Sequence, residues 1–359
     1  MKDISLEILN KIYDYGYEGY VVGGFVRDML LGVSSCDVDI TTNATPMELK
    51  NIFPEIEINN DYGSVTLNYK NYRFEITTYR MDMEYIDNRH PSSVLYVNDL
   101  RTDLLRRDFT INAICMDKNG EIIDLLNGIS DINNRVIKTI DDSDISFSND
   151  ALRILRAIRF ATVLNFKLSD KIKASIYKNK HLLKNISYER KKRELDKIFA
   201  CSNTKEGISL IHEFDLEEVL ELDFSRVYDY SDIIGIWAMI NAVNYPFTNS
   251  ERELIEKINE VYKLDVLTNE VLYKYGLYVC ILAFVNKGMD KKEITVKYNS
   301  LPIKERGEIN ITAYEICELL NKEPGSFIGV IYNDLEYKIL NNLLINEKNE
   351  IKRYINDNY

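Results

Sequence analysis

Proline, histidine and tryptophan are all scarce: the 359 residues hold six prolines, three histidines and one tryptophan. With so little proline and no long linker or low-complexity tract, boundaries between parts of the chain are weakly marked. His90, His181 and His212 form neither an HD doublet nor an HExxH pattern, which argues against histidine-based metal hydrolysis. The five cysteines, Cys36, Cys115, Cys201, Cys280 and Cys317, are scattered and odd in number, and form no CxxC pair. That spacing supports neither a disulfide framework nor a zinc site. No run approaches about 18 consecutive apolar residues, and the first segment, MKDISLEILNKIYDYGYEG, is acidic and amphipathic, unlike a basic leader. These absences predict a soluble, cytoplasmic protein.

Hydrophobic residues at 45% and charged residues at 28% are ordinary for a globular chain, and the length suggests two or three units. The formal net charge of −12 argues against indiscriminate nucleic-acid binding, because phosphate contacts need Lys or Arg. Basic residues nevertheless cluster in LLRRD (104–108), from Arg153 to Arg159, and in ERKKRELDK (189–197). A polyanion site is expected along those segments.

The first 140 residues read as an α+β region with a mixed sheet. A strand at Tyr20–Val22 leads through Gly23 and Gly24 into a short helix that stops at Gly32. Segments 63–69 and 72–80 alternate and read as a hairpin turning within Asn68–Asn71. From Phe147 onward helical periodicity takes over. The boundary is placed near residue 140, with weaker divisions near 200–205 and 265–270.

Asp37 and Asp39 alternate within a strand-like segment, so both carboxylates are expected on one face, where two like charges need a cation between them. Hard oxygen ligands on a rigid strand suit Mg²⁺ bound together with nucleotide phosphates. Glu75, in the alternating segment FEITTYR, is a third carboxylate for the same chemistry. A bare DxD is usually a solvated turn. Here it follows VVGGFVRD, whose paired glycines let backbone N–H groups approach phosphate oxygens, with Arg27 as a charged fork. On a helical wheel, SNDALRILRAIRFA (148–161) puts Ala151, Ile154, Leu155 and Ile158 on one side and Arg153, Arg156 and Arg159 along another edge. Those arginines could follow a nucleotide or form a solvated stripe, and Asp150 could simply complement the helix N-terminus. RRDFTINAICMD (106–117) reads equally as a loop entering a buried segment.

In order and spacing, VGGFVRDMLLG, DVDITT, FEITTYR, RRDFTINAICMD, IDLLNGISDINNRVIKTI, NDALRILRAIRFATVLNF and ERKKRELDKIF resemble the class II tRNA nucleotidyltransferase and poly(A) polymerase family, a branch of the polymerase-β-like nucleotidyltransferases. The resemblance covers about residues 18–200. It implies a seahorse-like molecule with a catalytic head on a five-stranded mixed sheet (1–140), a helical neck (141–202), a body (203–266) and a tail (267–359). It implies that Gly24 and Arg27 hold a triphosphate, that Asp37 and Asp39 bind Mg²⁺, and that Arg107 helps close the site. It makes Asp150 and Arg153 the base readers, with Arg156 and Arg159 supporting the nucleotide. The implied activity is template-independent addition of CCA to the tRNA 3′ end from CTP and ATP. CC-only addition, A-only addition, poly(A) synthesis and a non-catalytic nucleotide- or RNA-binding module remain alternatives. Two further features bear on that choice. The family's neck motif usually begins Glu-Asp, whereas this chain has Asn149-Asp150, and RMDMEYIDNRHPSSV (80–94), with Asp87, Arg89 and Pro91, resembles the loop that relatives need for switching from CTP to ATP.

Overall fold

The computed structural model describes residues 1–59, 62–83, 92–240 and 242–359, and divides the chain into two compact units, Met1–Glu221 and Leu222–Tyr359.

The first unit opens with helix α1 (Lys2–Asp14), whose Ile8, Leu9 and Ile12 are buried. Strand β1 (Gly19–Val22) follows, then helix α2 (Gly24–Leu30) and strand β2 (Val38–Thr42). The expected strand, turn, helix and stop are all present. Gly23 makes the turn at φ 82°, and Gly32 ends the helix at φ 71°, both conformations that glycine adopts without a Cβ penalty. Next come α3 (Pro46–Ile52), β3 (Glu57–Ile58), β4 (Ser64–Tyr69) and β5 (Tyr72–Thr78). β4 and β5 form the expected hairpin, and Lys70 and Asn71 turn it with φ of 50° and 67°, the paired positive values that a tight two-residue loop requires.

The chain continues through β6 (Arg80–Asp82), β7 (Val94–Tyr96), α4 (Leu100–Leu105), β8 (Cys115–Met116) and β9 (Ile122–Ile123). The main sheet has the order β3-β4-β5-β2-β1-β8-β9 and is mixed: β2 runs parallel to β5 and antiparallel to β1. The five strands implied by resemblance become seven because β3 and β9, each two residues long, extend the edges. In register, Asp39 lies between Val22 of β1 and Glu75 of β5, near the middle of the sheet.

Helix α5 (Gly128–Asn133), strand β10 (Val136–Ile137) and helix α6 (Ser143–Asn149) lead to α7 (Leu152–Leu164). The single helix expected over 148–161 is therefore two helices, broken at Asp150 (φ −136°, ψ 99°). Ala151, Ile154, Leu155 and Ile158 are fully buried, as the wheel requires. Strand β11 (Lys167–Leu168) pairs parallel with β10, a short strand beyond the point where strand signals fade. Helices α8 (Asp170–Asn179) and α9 (Tyr188–Phe199) follow, and the unit closes with helices Thr204–Glu213 and Glu217–Leu220.

The described residues of the second unit form helices and short turns from Ile233–Met239 to Lys348–Asn358. Thr248 with Glu251, and Thr312 with Glu315, make reciprocal capping boxes that fix where two of these helices begin. Among the described residues of either unit, no helix is long and apolar enough to cross a membrane.

Candidate active site

The parallel pairing of β2 with β5 positions the acidic centre. β2 begins at Val38, so Asp37 stands just before the strand and is exposed, while Asp39 is half-buried within it. The alternation expected of Asp37 and Asp39 therefore applies only from Val38 onward, yet both side chains line one cavity. Burial, then the charge of Asp37, pushes the Asp39 carboxyl up to about 6, against the pull of Arg107. Neither carboxylate takes part in a hydrogen bond or ion pair among the described residues. Two crowded, unpaired carboxylates of this kind fit a hard divalent cation, whose charge reverses the penalty that raises the proton affinity of Asp39. Glu75 accepts the Ser64 hydroxyl at 2.6 Å. Among the described residues no group of three or more His, Cys, Asp or Glu is placed to hold a metal.

The turn after β1 brings the phosphate-binding candidates to the same place. A Cβ at Gly23 would stand 3.5 Å from Asp39 Oδ2, an ordinary contact, so the turn lies directly beside the acid. Arg27 is buried and fully oriented. Its Nη1 donates to Asn112 Oδ1 at 2.6 Å, while Nε and Nη2 donate to Asp28 Oδ1 at 2.8 and 2.6 Å.

The break between α6 and α7 sets the other end. Asp150 Oδ1 accepts the Leu152 N–H at 3.1 Å, so its side chain satisfies a backbone donor at the start of α7, whose N-cap position is Ala151. Burial raises its pKa, opposed by Arg190 and Arg153. Arg153 bonds elsewhere: Nη1 donates to Ser146 Oγ and Nη2 to the Arg106 carbonyl, each at 2.8 Å. Arg156 is paired with Asp108, and Arg159 Nε donates to Glu194 at 2.6 Å. Phe160 lies beneath the cluster, with the guanidinium carbons of Arg159, Arg27 and Arg156 at 4.0, 5.1 and 5.5 Å from its ring centre. The arginine stripe, for which a solvated surface is the other sequence reading, forms the wall of a cavity.

That cavity has a volume of about 530 Å³ and is lined by Gly24, Arg27, Asp37, Asp39, Arg107, Asp150, Arg153, Arg156 and Arg159 together. Eight arginines and one lysine face it against six aspartates, so a chain of net charge −12 concentrates positive charge here. Glu75 lines an adjoining cavity of about 300 Å³, and Asp39 and Arg107 border both.

Several residues that hold the candidate arginines escaped sequence reasoning. Asp108 is held down at about 2: burial alone would raise it, but Arg156 and Arg153 outweigh burial. Asp103, fully buried, accepts Arg106 Nε at 2.9 Å, Arg107 Nη2 at 3.1 Å and Thr41 Oγ1 at 3.0 Å, tying the two arginines to β2. Asp108 and Asn112 lie inside RRDFTINAICMD, which also behaves as a loop entering a buried segment, since Phe109, Ile111 and Ala113–Met116 are fully buried. The charges flanking its apolar run were the available signal. Asp87, Arg89 and Pro91 of the loop resembling a CTP-to-ATP switching element lie outside the described residues.

Comparison with known proteins places the chain in a family. Residues 19–138 match the family described as the poly A polymerase head domain, 165–224 match a "Probable RNA and SrmB- binding site of polymerase A", and 244–355 match a tRNA nucleotidyltransferase domain 2. The chain is 34% identical to the CCA-adding enzyme of Lactococcus lactis subsp. lactis, over 95% of this chain and 94% of that protein. It is also 34% identical to the CCA-adding enzyme of Ligilactobacillus salivarius, over 96% and 93%. The crystal structure of the Bacillus stearothermophilus CCA-adding enzyme in complex with CTP superposes with a TM-score of 0.82 at 28% identity, covering 99% of this chain and 96% of that one. The Thermotoga maritima CCA-adding enzyme complexed with tRNA shares the fold, with a TM-score of 0.73 at 21% identity, covering 99% and 94%. With one third of its residues shared across nearly the full length of such relatives, the chain belongs to the CCA-adding enzyme family of tRNA nucleotidyltransferases.

Proposed function

We propose that this chain adds CCA to the 3′ end of tRNA from CTP and ATP, releasing pyrophosphate and using no nucleic-acid template. The supporting observation is a single basic cavity in which the glycine turn, the acidic strand and the arginine edge of α7 all meet. In this reading residues 1–140 act as the catalytic head and 141–202 as the base-reading neck, with 203–266 and 267–359 as body and tail.

The family generally uses a divalent metal. Asp37 and Asp39 would hold it as Mg²⁺, and the ion supplies charge neutralisation for the triphosphate and the departing pyrophosphate. Glu75, whose charge also raises the proton affinity of Asp39, deepens the negative potential that favours a cation there. Gly24 and Arg27 face the triphosphate, and Arg107, held by Asp103, stands over the acidic strand and brings positive charge to the phosphates.

At the far end Asp150 accepts and Arg153 donates. Cytosine and adenine each present a ring-nitrogen acceptor beside an exocyclic amino donor, which this pair matches. Uracil and guanine reverse that order and would leave buried groups unpaired, at about 1–3 kcal/mol each. Arg156 and Arg159, oriented by Asp108 and Glu194, support the nucleotide between the two ends.

The decisive test is extension, at single-nucleotide resolution, of tRNA transcripts ending at the discriminator base, at C and at CC, beside an oligo(A) control. Growth by three residues that then stops is expected. Stopping after two, extending only the CC-ended transcript, or long tails on oligo(A) would assign CC addition, A addition or poly(A) synthesis instead. No incorporation together with nucleotide binding would leave a binding module.

A further inference from the structure

Ser146 is tied to both residues assigned above to base reading. It lies in α6, four positions before Asp150, and is only 2% exposed. Its carbonyl accepts the backbone N–H of Asp150 at 3.2 Å, at the point where the chain leaves helical geometry. Its hydroxyl accepts Arg153 Nη1 at 2.8 Å. One buried residue therefore fixes where Asp150 starts and where the Arg153 guanidinium points.

The chemistry of this anchor differs from that of its neighbours. Arg156 rests on the carboxylate of Asp108 and Arg159 on that of Glu194. Arg153 rests on two neutral oxygens, the Ser146 hydroxyl and the Arg106 carbonyl. A carboxylate partner neutralises a guanidinium and attracts several of its donors, whereas a hydroxyl and a carbonyl set its direction, keep its charge and use only two of its five N–H groups. A side chain that must donate to a base needs the second arrangement. Asn149, which stands where an acid usually precedes Asp150 in the resembling family, leaves that step of the chain without a carboxylate. The Arg106 carbonyl also joins the base reader to the segment whose Arg107 faces the acidic strand.

We propose that Ser146 is a positioning residue for nucleotide choice, holding Asp150 through its carbonyl and Arg153 through its hydroxyl so that the pair meets cytosine and adenine in one geometry. The proposal rests on the base-reading assignment of Asp150 and Arg153.

The test compares wild type, Ser146→Ala, Ser146→Thr and Arg153→Ala as full chains, measuring kcat/KM for CTP and for UTP on a tRNA transcript awaiting its first C. Arg153→Ala should lower the CTP-to-UTP ratio most. Ser146→Ala should lower it by about tenfold, the effect of one lost hydrogen bond to a charged group. Inhibition by inorganic pyrophosphate, which engages the phosphate end alone, should not change. Ser146→Thr, which restores the hydroxyl, should recover the ratio. An unchanged ratio in Ser146→Ala beside a reduced one in Arg153→Ala overturns the role of Ser146 and leaves the base-reading assignment standing. A Ser146→Thr variant that stays at the alanine value places the effect in packing and also overturns it. An unchanged ratio in Arg153→Ala overturns the base-reading assignment itself.

Discussion

Asp108 receives Arg156 from 48 positions further along the chain: Nε donates to Oδ2 at 2.7 Å and Nη2 donates to the same oxygen. The other carboxylate oxygen accepts Asn112 Nδ2 at 3.1 Å, and Asn112 Oδ1 accepts Arg27 Nη1 at 2.6 Å. A continuous run of hydrogen bonds thus joins the arginine beside the glycine turn to an arginine of α7. Removing one partner of a buried pair leaves the other charge uncompensated, so this run is costly to interrupt.

The pH dependence of that pair has a definite sign. The folded Asp108 carboxyl sits at about 2, below its ordinary 3.8, so its contribution to stability is fully present above about pH 4 and is lost as pH falls toward 2. The shift corresponds to roughly 2 kcal/mol. Urea unfolding of wild type and Asp108→Asn should therefore differ by at least that much at pH 7, with the difference shrinking below pH 4. A difference that stays constant down to pH 3 would remove the ion pair as its cause.

Asp39 carries the opposite shift. Its folded carboxyl, at about 6, holds a proton more tightly than in the unfolded chain, so the metal-free protein loses this contribution as pH rises through 6. A proton and a divalent cation compete for the same oxygens. The apparent Mg²⁺ affinity measured through nucleotide incorporation should be flat above pH 7 and weaken by up to tenfold per unit below about 6. Asp39→Ala should abolish incorporation and leave tRNA binding nearly intact. Wild-type turnover in that variant would sink the metal assignment.

Where the relevant pattern is local, the sequence foretells the structure. The β4–β5 hairpin, the turn at Gly23 and the buried side of α7 all follow from periodicity and turn chemistry over a few residues. Features set by distant partners are illegible in it. Asn112 meets Arg27 from 85 positions away and Glu194 meets Arg159 from 35, and no local rule connects such residues. The break at Asp150 was hidden because the helical pattern of apolar residues runs through it, while the backbone N–H of Leu152 turns instead to the Asp150 side chain. The edge strands β3 and β9 are too short to alternate.

Gly23 offers a test of the glycine turn that separates strain from position beside the acid. At φ 82° and ψ −138° its backbone is one that residues with a Cβ rarely adopt, and its added Cβ would stand 3.5 Å from Asp39 Oδ2. Gly23→Ala should cost about 1–3 kcal/mol in stability and also reduce nucleotide affinity. Gly32 has a similar φ of 71° but no atom within 4 Å of an added Cβ. Gly32→Ala should lower the denaturation midpoint and leave nucleotide affinity unchanged. Equal affinity losses in the two variants would mean that strain alone is responsible.

Arg27→Lys tests the division of labour between the two ends of the cavity. The guanidinium satisfies Asn112 and Asp28 at once, through three N–H groups on different sides of a planar fork, and lies over the ring of Phe160. A lysine ammonium keeps the charge but cannot reproduce that fork, so the exchange is not conservative at this position. If Arg27 faces only the triphosphate, which CTP, ATP and UTP share, its loss should raise KM for all of them together, by about tenfold. The CTP-to-UTP ratio should stay at its wild-type value, because the base-reading pair is untouched. A ratio that falls with Arg27→Lys would mean that the run through Asn112, Asp108 and Arg156 carries information between the phosphate end and the base end, and the two could no longer be treated as separate sites.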